Sequence, residues 1–220
     1  MSKKCVMVDM VQGSDEWDSI RATMPTASRF SELVTPKKLD YSASSLKYQI
    51  ELVARQLSVY VPPPPSFWMD HGTEEEPNAL LCYERKNSAS VDQFGFCMFE
   101  DRSAGGSPDG LIGQDGGIEV KCPKPETLIS YHLNGDLPSE YRLQVQGYLW
   151  ITGRSWWDFF AYHQDLPPFQ IRVEPEQDVH EALEAGVAEF NSGLAKLKGI
   201  FEGQKTCFDY VCDLGEAVVI

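Results

Sequence analysis

Residues 107–123 read SPDGLIGQDGGIEVKCP, and no other stretch constrains the fold as tightly. Two short runs, 107–112 and 116–122, have the composition of strands, joined by a turn through Gly113, Asp115, Gly116 and Gly117. A strand alternates its side chains with period 2, so Glu119 and Lys121 project from one face. Asp109, on the neighbouring run, can bring a second carboxylate to the same place. Two readings of this trio stand open. One is a solvated carboxylate–ammonium pair on an exposed face; the other is a hard-oxygen metal site with a cation beside it. The spacing Asp-x9-Glu-x-Lys occurs often by chance and does not decide between them.

On the metal reading, Asp109 and Glu119 suit Mg2+ or Mn2+, and the strand carbonyl of Val120 adds an oxygen ligand. Lys121 would stabilise a pentavalent phosphate or orient an attacking water. Other segments bear on the choice. In Gly72-Thr-Glu-Glu-Glu76, Glu76 can aim an acid at the same ions, with Glu74 and Glu75 as solvated neighbours; an acidic helix start favoured by the macrodipole explains them equally. Gln144 and Tyr148 lie four apart and stack on one helix face, fitted to phosphate or metal-bound water, or else to a surface glutamine and a core tyrosine. Trp17, Arg21 and Ser28 surround the loop between the first two helices, where a guanidinium and a hydroxyl make an anion pocket. An ordinary surface salt bridge is the plainer account of Arg21.

The rest of the pattern places these segments. Ser14 caps a helix over DEWDSIRAT, and Thr26 caps a second over ASRFSELV that Pro36 stops. Residues 42–60 form an amphipathic helix with Leu46, Ile50, Val53 and Leu57 on its apolar face. Four prolines at 62–65 make an extended linker. Residues 72–85 form a helix with Ala79, Leu80 and Tyr83 inward, and 94–100 a strand that opens a three-stranded meander with the two runs above. Helices follow from about 125 and 139, then strands over SWWDFFAYHQ and IRVEP. A long helix over 176–198 carries Val179, Leu183, Val187, Phe190, Leu194 and Leu197 on one side. The expected fold class is α/β (α+β): one domain over 1–220, core about 13–175 followed by a C-terminal helix and tail 176–220, with a small mixed central sheet flanked by helices.

Composition limits the function classes. The net charge of −14 argues against a duplex binder with a broadly basic surface, unless the few cations cluster or the acids surround divalent ions. Six cysteines show no disulfide or zinc framework, as in a reducing compartment. No apolar run reaches the roughly 20 residues of a membrane span, and the N-terminus lacks a signal-peptide core, so no membrane partner and a cytoplasmic location are expected. His71, His132, His163 and His180 read as structural or exposed. Trp156, Trp157, Phe159, Phe160 and Tyr162 read as sheet core and subunit interface.

Taken in order, WDSIRATMPTASRF, HGTEEEPNAL, SPDGLIGQDGGIEVKCP and YRLQVQGYLW resemble the phage lambda exonuclease family, the YqaJ-type viral recombinases of the PD-(D/E)xK nuclease superfamily. The blocks span about residues 13–150. The resemblance implies a PD-(D/E)xK nuclease-like core with Asp109, Glu119 and the Val120 carbonyl as metal ligands, and two Mg2+ (or Mn2+) per site. It makes Lys121 the catalytic lysine, Glu76 the supporting helix glutamate, and Gln144 with Tyr148 the QxxxY pair. Arg21 and Ser28 would hold the 5′-phosphate of the digested strand, and Met69 would be an apolar wedge at the terminal base pairs. A 5′→3′ exonuclease on double-stranded DNA ends is implied, working in phage recombination as a ring-shaped homotrimer with a single-strand annealing protein. An endonuclease with the same core, or a catalytically silent DNA-end-binding module, is the alternative.

Overall fold

Strand pairing between distant segments divides the sheet structure in two. The computed structural model describes residues 3–61 and 67–204, with the backbone path alone for 67–71. A three-stranded antiparallel sheet has the order β1 (Cys5–Val8), β2 (Phe96–Phe99), β3 (Gly105–Gly106). A four-stranded mixed sheet has the order β4 (Gly110–Ile112), β5 (Gly116–Lys121), β6 (Trp156–His163), β7 (Leu166–Val173). Within it only β5 and β6 are parallel. The helices are α1 (Asp15–Arg21), a 3-10 turn (Ala27–Glu32), α2 (Ser45–Gln56), α3 (Phe67–Asn87), α4 (Pro125–Asn134), α5 (Ser139–Thr152) and α6 (Gln177–Phe201). None of the described helices is long and apolar enough to cross a membrane.

The expected α+β class with a mixed sheet between helices is the fold observed, with corrections in its parts. The aromatic strand β2 does not join a meander with β4 and β5; it pairs with β1, for which the sequence analysis names no element. Nothing local in CVMV announces a partner 90 residues away, since an antiparallel ladder is chosen by tertiary packing. Gly116 and Gly117 belong to β5 and not to the turn. They lie opposite Trp156 and Trp157, whose rings stand 2.1 and 2.3 Å from where a Cβ would be. The turn itself is 113–115, with Gly113 at φ +54° and Arg154 Nη1 donating to the carbonyls of Gly113 and Gly116. ASRFSELV forms the 3-10 turn without a side-chain cap, because Thr26 is drawn into a bridge with Gly105.

Of the face assigned to α2, Val53 alone is buried. Leu46, Ile50 and Leu57 are exposed, and the buried side carries Tyr48, Gln49, Leu52 and Val53. The helix has two apolar stripes, and packing on α6 selects the one bearing Tyr48, whose ring meets Phe190 at 5.0 Å. On α6 the expected residues Val179, Leu183, Val187, Phe190 and Leu194 are buried, in one cluster with Phe30, Tyr148 and Trp157. With β1 at one end and α6 at the other, the core extends beyond 13–175.

Burial on both faces of the four-stranded sheet follows from its alternation. Ile118, Val120 and Phe160 meet Ala79, Leu80 and Tyr83 of α3. Phe159 and Ala161, which pair with Glu119 and Lys121, meet Leu128 and Tyr131 of α4. Asp158, fully buried on β6, went unnoticed within its aromatic run. It accepts from Tyr83 Oη (2.6 Å), Gln170 Nε2 (3.1 Å) and both Nε and Nη2 of Arg172 (2.8 and 2.9 Å), which is how a charge is tolerated there. The proline run at 62–65 and the tail with Cys207 and Cys212 lie outside the described residues, as do the side chains of Met69 and His71.

Candidate active site

β5 runs parallel to β6 and outlasts β4, whose pairing stops at Gly110↔Ile118. At Glu119 to Lys121 the β4 side of the strand is therefore without a backbone partner, and a side chain takes its place. Asp109 Oδ2 accepts the Val120 N–H at 2.6 Å. A strand residue points its N–H and C=O toward the same edge, so the Val120 carbonyl faces the Asp109 side as well. The cleft there, about 500 Å³, is lined by Glu76, Asp109, Val120, Lys121, Cys122 and Tyr141 among others.

On the adjacent face Glu119 is 1% exposed. Its Oε1 accepts from Lys121 Nζ and from Gln144 Nε2, the latter at 2.6 Å. Its Oε2 is buried with no hydrogen-bond partner. A carboxylate oxygen left so is costly unless a cation or proton meets it. The donor set of Asp109, Glu119 and the Val120 carbonyl is all hard oxygen, which fits a divalent cation of the Mg2+ class. Among the described residues no three His, Cys, Asp or Glu side chains converge into a ready coordination shell.

Electrostatics agree with that geometry. Burial, then the Asp109 carboxylate, pushes Glu119 up to about 8. Burial, again with Asp109, pushes Glu76 up to about 7. Asp109 is raised by burial, against the pull of Lys121 and the Val120 N–H. For Lys121, burial opposes the charge, and Glu119 and Asp109 outweigh it, so the ammonium stays protonated. Carboxylates that resist ionisation around a fixed ammonium form a site lacking positive charge.

A stability prediction follows with a definite sign. The folded pKa of Glu119 lies above its reference value of 4.5, so between 4.5 and about 8 the folded state holds protons that the unfolded chain releases. Its contribution is present below 4.5 and lost as pH rises through about 8. The melting temperature of metal-free protein is expected to fall by several degrees from pH 5 to 8.5, and Mg2+ to restore it at the upper end. Glu119→Gln should flatten this slope. A wild-type slope no steeper than that of Glu119→Gln would contradict the assignment.

Of the other sequence candidates, Glu76 lines the cleft, Gln144 bonds to Glu119, and the Tyr148 hydroxyl lies 3.5 Å from Gln144 Nε2. Tyr148 is 2% exposed, stacked on Trp157 at 5.2 Å. The ring belongs to the core, and the hydroxyl is the part that meets Gln144. Its hydroxyl donates to the Ser107 carbonyl at 3.0 Å and so braces the turn that carries Asp109. Gly106 permits this, since a Cβ would stand 2.7 Å from the Tyr148 ring. Arg21 is half-buried over the Trp17 ring at 4.1 Å, and no carboxylate pairs with it among the described residues. Trp17 Nε1 donates to Ser107 Oγ at 2.7 Å, which joins Arg21 to the Asp109 turn. Ser28 is exposed, its Oγ 3.5 Å from Thr26 Oγ1, and forms no contact with Arg21.

Two participants escaped sequence reading. Tyr141 lines the cleft with its ring 5.3 Å from Lys121 Nζ; lying three before Gln144 on α5, it could have been found by helical spacing. Ser107 offered no such signal. His132, His163 and His180 make contacts outside the cleft, to Pro167 O, Asp165 N–H and Gln146 Oε1 respectively.

Comparison with known proteins gives this arrangement a setting. No curated protein matches the sequence significantly. The alkaline exonuclease LHK-Exo of Laribacter hongkongensis shares 31% identity and a TM-score of 0.72, over 85% of this chain and 97% of that one. LHK-Exo in complex with dAMP shares 30% identity and a TM-score of 0.77, over 91% and 100%. A phage-related exonuclease from Haemophilus somnus 129PT, at 12% identity and TM-score 0.61 over 81% and 96%, shares the fold. Residues 16–155, which hold Arg21, Glu76, Asp109, Glu119, Lys121 and Gln144, match the YqaJ-like viral recombinase domain, and the chain belongs to that lambda exonuclease-type nuclease family.

Proposed function

We propose that this nuclease is a Mg2+-dependent 5′→3′ exonuclease, with Mn2+ as a substitute, that digests one strand of linear double-stranded DNA from a 5′-phosphorylated end. It releases mononucleotides and leaves a 3′ overhang for annealing in phage-type recombination. The observation that carries the reading is the joining of two units. Asp109, Val120 and Lys121 line a cleft with a fixed ammonium that is bonded to buried Glu119, and Trp17 links the Asp109 segment to Arg21, which has no ion-pair partner among the described residues. An endonuclease does not need the second unit.

The residues divide the work. Asp109, Glu119 and the Val120 carbonyl would hold the cation, with two ions per site as the reading. Bound there, it supplies water activation and charge neutralisation at the scissile phosphate. Lys121 adds a positive charge to the same phosphate or orients the water. Gln144 keeps Oε1 of Glu119 engaged, and Oε2 is left without a protein partner for a cation to meet. Glu76 supports the site from α3. Arg21, with Ser28 nearby, takes the terminal phosphate, and Met69 on α3 is the wedge in this reading.

A homotrimeric ring in the bacterial cytoplasm, passing its overhang to an annealing protein, completes the proposal. A ring reconciles DNA with a charge of −14, because confinement replaces a basic surface. A monomeric mass in light scattering at working concentration would sink the ring.

Digestion of linear against closed-circular duplex tests the activity. Metal-dependent mononucleotide release from the linear form alone is expected. Cutting of the circle would establish an endonuclease, and no cutting of either a binding module. Arg21→Ala is expected to lower the rate ratio of 5′-phosphorylated to 5′-hydroxyl ends by about tenfold or more, the loss of a charge-assisted contact of roughly 1.5–3 kcal/mol. An unchanged ratio would remove Arg21 from the end pocket.

A further inference from the structure

One face of α5 holds both members of the ion pair on β5. Gln144 Nε2 donates to Glu119 Oε1 at 2.6 Å. Three residues earlier, and so on the same helix face, Tyr141 sets its ring 5.3 Å from Lys121 Nζ. That is within the reach of a cation–π contact. The ring has a firm seat. It lies against Phe159 with centroids 5.1 Å apart and a 30° tilt. Phe159 is fully buried, pairs with Glu119 in the β5–β6 register, and meets Tyr131 of α4. A ring that served packing alone would be covered, yet Tyr141 is half-buried and lines the cleft.

A lysine ammonium sits on a flexible four-carbon stem and carries three N–H donors, so one partner does not fix its direction. Glu119 Oε1 takes one donor of Lys121, and the Tyr141 ring is a second electron-rich neighbour. The side chain keeps 27% exposure and lines the cleft with Asp109. We infer that Tyr141 is a positioning residue, whose ring holds the Lys121 ammonium between Glu119 and the cleft so that a remaining N–H meets phosphate or water. This rests on the exonuclease reading above and adds a residue to its site. The ring suits the task better than a third carboxylate would. Glu119 and Asp109 are the proposed oxygen ligands and would share their charge with the cation. A Mg2+-class ion does not recruit an aromatic face, so the ring stays with Lys121.

The test follows single-turnover nucleotide release from 5′-phosphorylated linear duplex with Mg2+. Tyr141→Leu is expected to lower the rate about 2- to 30-fold, the range of one cation–π contact, with DNA affinity in Ca2+ held within about twofold. Tyr141→Phe keeps the ring face and should stay within about twofold of wild type. In a Lys121→Met background, where no ammonium remains, Tyr141→Leu should cost no further rate. The contact is also read without turnover or metal. In protein carrying isotope-labelled lysine, the ring current of Tyr141 should move the Lys121 ε-methylene resonance upfield of the other lysines, and Tyr141→Leu should return it. An ordinary lysine position in wild type, or an equal loss of rate with and without the Lys121 ammonium, would overturn the positioning role. A loss in Tyr141→Phe as large as in Tyr141→Leu would give the work to the hydroxyl and overturn it too. Wild type that releases no nucleotide with Mg2+ would overturn the exonuclease reading, while the resonance would still decide whether Tyr141 holds Lys121.

Discussion

Lys121→Ala is expected to lower single-turnover cleavage of linear duplex by about 10²–10³-fold, the scale of losing one preorganised charge at a developing anion. DNA affinity, read by fluorescence anisotropy with Ca2+ in place of Mg2+, should change by no more than a few-fold, because the ammonium is turned inward to Glu119. The structure gives the reason for so large a split. Lys121 is the ammonium whose charge the negative charge on Glu119 and Asp109 favours against burial, and its Nζ lies 5.3 Å from the Tyr141 ring. On the proposed reading its positive charge would sit where negative charge grows at phosphate, in a region where burial has already weakened solvent screening. The effect should appear in turnover and not in binding. Activity within tenfold of wild type would remove Lys121 from the chemistry.

Asp109→Ala is the second large effect. Calorimetric Mg2+ uptake should fall below detection and cleavage with it, by 10³-fold or about that. The carboxylate has two tasks that no neighbour can assume. In the proposed site it would be one of two side-chain oxygen donors to the cation, and it accepts the Val120 N–H that β4 leaves unpaired. Alanine removes the ligand and also releases the strand whose carbonyl faces the same edge. Asp109→Asn separates these tasks, since an amide oxygen can still accept the Val120 N–H while the charge is lost. It should recover the folding stability lost in Asp109→Ala but not the metal uptake. Unaltered Mg2+ heats in Asp109→Ala would refute the ligand assignment.

Much of the site was legible because it depends on short-range geometry. Period-2 alternation puts Glu119 and Lys121 on one face whatever surrounds the strand, and helical spacing puts Gln144 on a face with position 148. A turn between two strand-like runs brings Asp109 back beside Glu119 without any distant contact. The long helix α6 was equally legible, since one apolar stripe leaves one way to bury it.

What only the tertiary structure decided is whatever required a choice among locally equivalent options. α2 offered two apolar stripes, and α6 took the one that hydropathy had not selected. β2 looked like part of the central meander, yet long-range pairing gave it to β1 and β3 in a separate sheet. Tyr148 matched a motif as a ligand contact; stacking on Trp157 buries its ring, and its hydroxyl braces Ser107 beside Gln144. Gly116 and Gly117 looked like turn residues until two tryptophans of β6 occupied the space a Cβ would need. The sequence by itself determined which chemistry the chain carries, since that is set by residue type and by spacing within single elements. Which side chains face the cleft and which support it depended on packing between elements far apart in the chain, an energy no local window contains.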